Sequence, residues 1–123
     1  MNNKEFGKLM EERTLDFAVK IIQFSSSLPN NQEGWVVRNQ ITKSGTSVGA
    51  NYSEANRSRS VKDFIHKMNI CVTEAGETEF WLKVIERTDW GDLQTRDELK
   101  NEASELIGIF TSAIVKLKSK NKR

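Results

Sequence analysis

The residues of this chain that could do chemistry are few. There is one histidine, His66, and one cysteine, Cys71. Glu74, Glu77 and Glu79 form a short carboxylate cluster, and polar side chains recur at helical spacing from Gln40 to Glu54. Carboxylates at that spacing could hold a metal ion in a helical bundle, but the Glu-x-x-His pairing of such sites is absent. No Cys/His set has zinc-ligand spacing. Ser44-Gly45-Thr46-Ser47 lacks the lysine of a phosphate-binding loop and lies within a helical pattern. One histidine among many serines does not define a catalytic triad. The expectation is therefore a non-enzymatic protein without a cofactor, with a metal site at Glu74, Glu77 and Glu79 as a remote alternative.

The polar side chains carry more information as a pattern. Val37, Ile41, Ser44, Val48, Asn51 and Ala55 advance by alternating steps of four and three, the seam of a packed helix. Beside this seam run Gln40, Ser47 and Glu54, spaced seven apart, and further on Lys67, Glu74 and Trp81 repeat the spacing. In a helical hairpin turning near residues 58–62, Glu54 faces Lys67, Ser47 faces Glu74 and Gln40 faces Trp81. An unpaired buried polar group costs about 1–3 kcal/mol, so such a stripe needs partners. Gln40, Ser44, Ser47, Asn51, Glu54, Lys67 and Glu74 are thus expected to form a polar network that fixes helix register, with a buried Glu54–Lys67 ion pair and a Ser47–Glu74 hydrogen bond. A ligand or catalytic pocket along the same stripe, and partial exposure with no special role, are the alternatives.

The region Gln40–Lys83 resembles the signature of the 23S rRNA intervening-sequence protein family. The matching pieces are Ser44-Gly45-Thr46-Ser47, Gly49-Ala50-Asn51-Tyr52-Ser53-Glu54-Ala55, Ser60 with Asp63-Phe64, and Glu74 through Leu82, with the motif core covering about a third of the chain. The resemblance implies a small bacterial four-helix bundle. The family is related to the accessory proteins of diversity-generating retroelements, which the resemblance associates with pentamers that bind a reverse transcriptase and nucleic acid. Most members have no assigned biochemical role.

At 123 residues the chain fits one domain, expected to span residues 1–123. No stretch approaches the ~20 apolar residues of a membrane span. The first residues lack a signal peptide's apolar run. A lone cysteine on an apolar face fits core packing and a reducing cytoplasm. The net charge is only +2, yet the cations are clustered: Arg57, Arg59 and Lys62 in one turn, and Lys116, Lys118, Lys120, Lys122 and Arg123 at the C-terminus. Such clusters suit phosphate contacts.

These groups must be positioned by helices, and the apolar spacing predicts four, over about 4–27, 32–57, 61–87 and 94–119. In the first, Leu15, Ala18, Ile22, Ser25 and Leu28 form the expected seam, widened by Phe17, Ile21 and Phe24. Pro29-Asn30-Asn31 ends it. Ser60 with Asp63 resembles a capping box opening the third helix, whose apolar series breaks at Thr78 or Glu79. Leu99, Ala103, Leu106, Phe110, Ala113 and Leu117 define the fourth. Short connections require an all-α, antiparallel up-down-up-down bundle. Gly45, Gly49, Gly76 and Gly108 lie mid-helix, where close backbone approach within or between subunits would offset their cost, with mere tolerance of glycine at the surface as the alternative. Trp35, Trp81 and Trp90 exceed what a small core needs and fit either core-edge packing or a subunit interface.

The expected function is an oligomeric adaptor, a pentamer by resemblance, binding RNA or DNA at Arg57, Arg59, Lys62, Lys118 and Lys120, with a reverse transcriptase or other protein as a candidate partner and no membrane contact. By the up-down order, the Arg57–Lys62 turn and the basic tail fall at one end of the bundle. The alternative is a protein-only scaffold whose basic residues solubilise it.

Overall fold

The computed structural model describes residues 1–121, so Lys122 and Arg123 of the basic tail lie outside the described residues. The chain forms α1 (Asn3–Ser25), α2 (Gln32–Asn56), α3 (Val61–Arg87) and α4 (Leu93–Asn121). Each helix packs on its sequence neighbour and α1 closes on α4, giving an all-α antiparallel four-helix bundle. The α1–α4 seam is by far the loosest.

Polar side chains set the helix starts. Asn2 and Asn31 accept from the backbone N–H of Glu5 and Gly34, both at 2.8 Å. Ser60 accepts from Asp63 N–H at 3.0 Å, and Asp92 from Thr95 N–H at 2.9 Å. Each satisfies an N–H that the helix cannot pair internally, worth about 1 kcal/mol. That bond also holds the Asp92 carboxyl below its ordinary range. At the end of α1, Ser25, Ser26 and Ser27 turn their hydroxyls onto the carbonyls of Ile22, Gln23 and Phe24. This competition with the helical ladder closes α1 at Ser25, ahead of Pro29.

The α3–α4 turn uses left-handed backbone at Asp89 (φ 57°) and Gly91 (φ 73°). A Cβ on Gly91 would sit 2.7 Å from the Phe24 ring, so glycine meets both a conformational and a packing demand there. The buried Arg96 guanidinium braces this turn by donating to the Trp90 carbonyl at 2.9 Å and to Asp89 at 3.3 Å.

The core runs the length of the bundle through Met10, Phe17, Ile21, Ile41, Val48, Met68, Leu82, Leu106 and Phe110. Each fully buried apolar side chain of this size contributes about 1.5–3 kcal/mol. Tyr52 stacks on Phe110 with ring centroids 5.7 Å apart, and burial pushes its phenol up to about 12. Cys71 is buried, its thiol pushed up to about 12 by desolvation, and it donates to the Val48 carbonyl at 3.6 Å.

The α1 seam differs from its expected composition. Leu15 and Ile22 are about half exposed, while the expected Phe17, Ile21, Phe24, Ser25 and Leu28 are buried and are joined by Met10 and Thr14. Two apolar stripes overlap on this helix, and the placement of α2 and α4 selects one of them. In α2, likewise, the buried line passes from Val48 to Tyr52, leaving Asn51 half-buried. A straight helix at 3.6 residues per turn drifts off a strict heptad, which moves the seam by one residue.

Candidate nucleic-acid interface

The polar stripe is largely dissolved by the structure. Ser44 is buried and partnered, by Thr78 of α3 at 2.8 Å. Ser47 donates to the Lys43 carbonyl at 2.6 Å, not to Glu74, and Asn51 donates to the Ser47 carbonyl at 2.8 Å. Both are short enough to bond back to their own helix, which competes with any partner across the seam. Gln40 makes no side-chain bond to Trp81, whose buried Nε1–H lacks a partner among the described residues. Desolvation, reinforced by Glu77 and partly offset by Lys43, raises the Glu74 carboxyl above the ordinary range. Glu54 and Lys67 do face each other, but at 3.9 Å and with side chains 52% and 28% exposed. They are a surface pair rather than a buried one, and such pairs contribute little.

The seams are tied by other groups. Arg13 of α1 grips Glu102 of α4 with two bonds of 2.7 Å, which raise the guanidinium's pKa. Lys100 meets Glu86 at 2.7 Å and holds that carboxyl below its ordinary range. Asn56 donates to the Gly7 carbonyl at 3.1 Å, and Thr42 to Ser25 at 3.0 Å. Gly45 and Gly49 let α1 approach α2: a Cβ would lie 2.8 Å from Ile21 at the first and 3.2 Å from Thr14 at the second. Gly76 and Gly108 have no atom of the described residues within 4 Å of such a Cβ. Among the described residues, close approach accounts for Gly45 and Gly49 and not for Gly76 and Gly108.

The cations gather at one end. Arg57 caps the C-terminus of α2, Arg59 lies in the following turn, and Lys62 sits in the first turn of α3. Lys118 and Lys120 occupy the last turn of α4, which returns to the same end. All five are exposed, and none joins a salt bridge among the described residues. Arg59, Lys116 and Lys120 line one cleft of about 1080 Å³, so turn and tail flank a common opening. Arg57, Lys62 and Lys118 do not line it. Lys4 and Lys8 are exposed on the neighbouring start of α1. The cleft continues inward onto Phe6, Tyr52, Phe64 and Met68. No sequence spacing links these aromatics to the cations, since they lie on three helices.

Elsewhere, His66 is exposed. Trp35 is half exposed at the opposite end, donating to Asn30 at 2.8 Å, while Trp90 packs on the core edge. Trp81 meets Phe80 edge-on with centroids 5.1 Å apart. Among the described residues, no three His, Cys, Asp or Glu side chains are grouped to hold a metal ion, and no helix is long and apolar enough to cross a membrane.

Among solved structures, the chain is similar to a protein of unknown function from the S23 ribosomal protein family of Bacteroides thetaiotaomicron VPI-5482. The two are 38% identical, the match covers 85% of this chain and 96% of that one, and the TM-score is 0.78. No curated protein matches. The profile described as 23S rRNA-intervening sequence protein matches residues 9–112. With a match over most of its length, the four-helix chain belongs to the 23S rRNA-intervening sequence protein family.

Proposed function

We propose that this protein is a non-enzymatic adaptor that assembles with copies of itself and binds RNA or DNA through the basic rim. The observation that carries the reading is the convergence of Arg57, Arg59 and Lys62 with Lys118 and Lys120 on one end of the bundle. Phosphates need clustered cations and little else, so sequence-tolerant binding follows from the charge. Assembly multiplies a small charge per chain into a repeated patch of positive potential. The resemblance favours five subunits and offers a reverse transcriptase as protein partner, and lone Cys71 suits a cytoplasmic setting.

The reading is tested by labelled RNA and DNA at graded salt. Affinity should fall steeply as salt rises, and reversing Arg57, Arg59 and Lys62 to Glu should abolish binding while helical content and assembly mass persist. A triple variant that binds like the parent at low salt would place the site elsewhere.

A second reading is a protein-only scaffold. Leu15, Val19 and Ile22 favour it, since they form an exposed apolar stripe on one face of α1, each 45–55% exposed. A parent protein that binds no nucleic acid at low salt would leave this reading standing.

A further inference from the structure

The rim is more than a charged surface, because it surrounds an apolar opening. The α1–α4 seam is pinned by Arg13 and Glu102. Towards the basic end the two helices leave the cleft of about 1080 Å³ between them. Phe6 of α1, 38% exposed, stands on one wall and Ile109 of α4 on the other, with Phe64 and Met68 of α3 beneath. At Gly108 the α4 wall is bare backbone.

Arg59, Lys116 and Lys120 edge this opening, the two lysines four apart on one side of α4. Glu105 is the acid among the described lining residues, and Arg13 lies 3.5 Å from it. An anionic molecule with a flat apolar part matches both features.

We infer that this cleft takes an unstacked base of single-stranded nucleic acid, with the flanking phosphates on Arg59, Lys116 and Lys120. The inference rests on the nucleic-acid reading above and specifies its substrate. A duplex presents its phosphates and keeps its base faces stacked inside, so it would use the cations and leave the cleft empty. A single strand can splay a base onto an aromatic surface while its backbone follows the charge. The aromatics and cations come from different helices, and the bundle end brings them together.

The test compares a single-stranded RNA of about 12 nucleotides, the same sequence as DNA, and the RNA duplex. Each carries one 2-aminopurine, and all are titrated at matched low salt. The single strands should bind about ten-fold tighter than the duplex, with a change in 2-aminopurine emission. Phe6→Ala should remove most of that preference and leave duplex affinity and its salt slope unchanged. Ile109→Asn provides a second cleft variant, and circular dichroism checks that both fold. Equal affinity for strand and duplex, unmoved by either variant, would overturn the cleft proposal and leave the rim reading intact. No binding by any probe would remove both. Unchanged 2-aminopurine emission, together with an assembly mass that falls on Phe6→Ala, would mark the cleft as a protein contact and also overturn the proposal.

Discussion

Thr78 Oγ1 donates to Ser44 Oγ at 2.8 Å across the α2–α3 seam, and both residues are fully buried. Each oxygen also has a carbonyl of its own helix within reach, Glu74 at 2.8 Å for Thr78 and Ile41 at 3.3 Å for Ser44. Two hydroxyl protons therefore serve three contacts, and neither oxygen is stranded when its partner is removed. Ser44→Ala and Thr78→Val should each cost about 1 kcal/mol, with a coupling of about 0.5–1 kcal/mol in a double-mutant cycle by urea unfolding. Zero coupling would show that the hydroxyls do not communicate across the seam.

The four mid-helix glycines should separate into two pairs. Gly45→Ala drives a methyl into Ile21, and overpacking of about 1–3 kcal/mol should exceed the roughly 1 kcal/mol gained in helix propensity. Gly76→Ala and Gly108→Ala meet nothing among the described residues and should stabilise by about 0.5–1 kcal/mol. Chemical denaturation measures all of these. A loss of stability or assembly mass at Gly76→Ala would instead reveal a subunit packed against that face.

Arg13–Glu102 and Glu54–Lys67 should differ in strength. The first is bidentate at 2.7 Å with both side chains mostly covered, while the second is a single 3.9 Å approach. Double-mutant cycles should give about 1 kcal/mol for Arg13–Glu102 and a few tenths for Glu54–Lys67, the latter vanishing in salt. Comparable values would contradict the geometry.

Glu74 should make stability fall as its carboxyl ionises. Its folded-state pKa is raised by desolvation and by Glu77, so the neutral form is favoured in the folded protein. The cost is absent below its ordinary pKa and complete above the raised one. Glu74→Gln should raise Tm at pH 7 and have no such effect in acid. A Tm gain that is the same at both pH values would exclude ionisation as its cause.

Assembly is expected to give a sedimentation mass above the 14.1 kDa of one chain. If the exposed α1 stripe is the contact, Leu15→Lys with Ile22→Lys should return the mass to that of a monomer without loss of helix. An unchanged assembly would move the contact to another face.

Four helices and their order were legible in the sequence, because apolar spacing, the Ser60 cap and a single proline are local signals that act within one or two turns, whereas the Asn2, Asn31 and Asp92 caps emerged with the structure. The convergence of turn and tail also follows from chain order, as four helices joined by short turns must alternate in direction. Pairing across seams was not legible. Equal height in a hairpin places Ser47 opposite Glu74, but height does not say which way a side chain turns, and a serine or asparagine can always bond its own helix. The apolar series of α3 breaks at Thr78 or Glu79, and only the facing helix selects Thr78 as the partner of Ser44. The same holds for α1, where two stripes competed and the positions of α2 and α4 buried Phe17 and Ile21 rather than Leu15 and Ile22. The cleft belongs wholly to the tertiary structure. Phe6, Phe64 and Lys116 share no local pattern, and they meet because α1 and α4 pack loosely where the bundle ends. Spacing along a chain specifies what one helix can bury, whereas a site built from several helices depends on the angles and gaps between them.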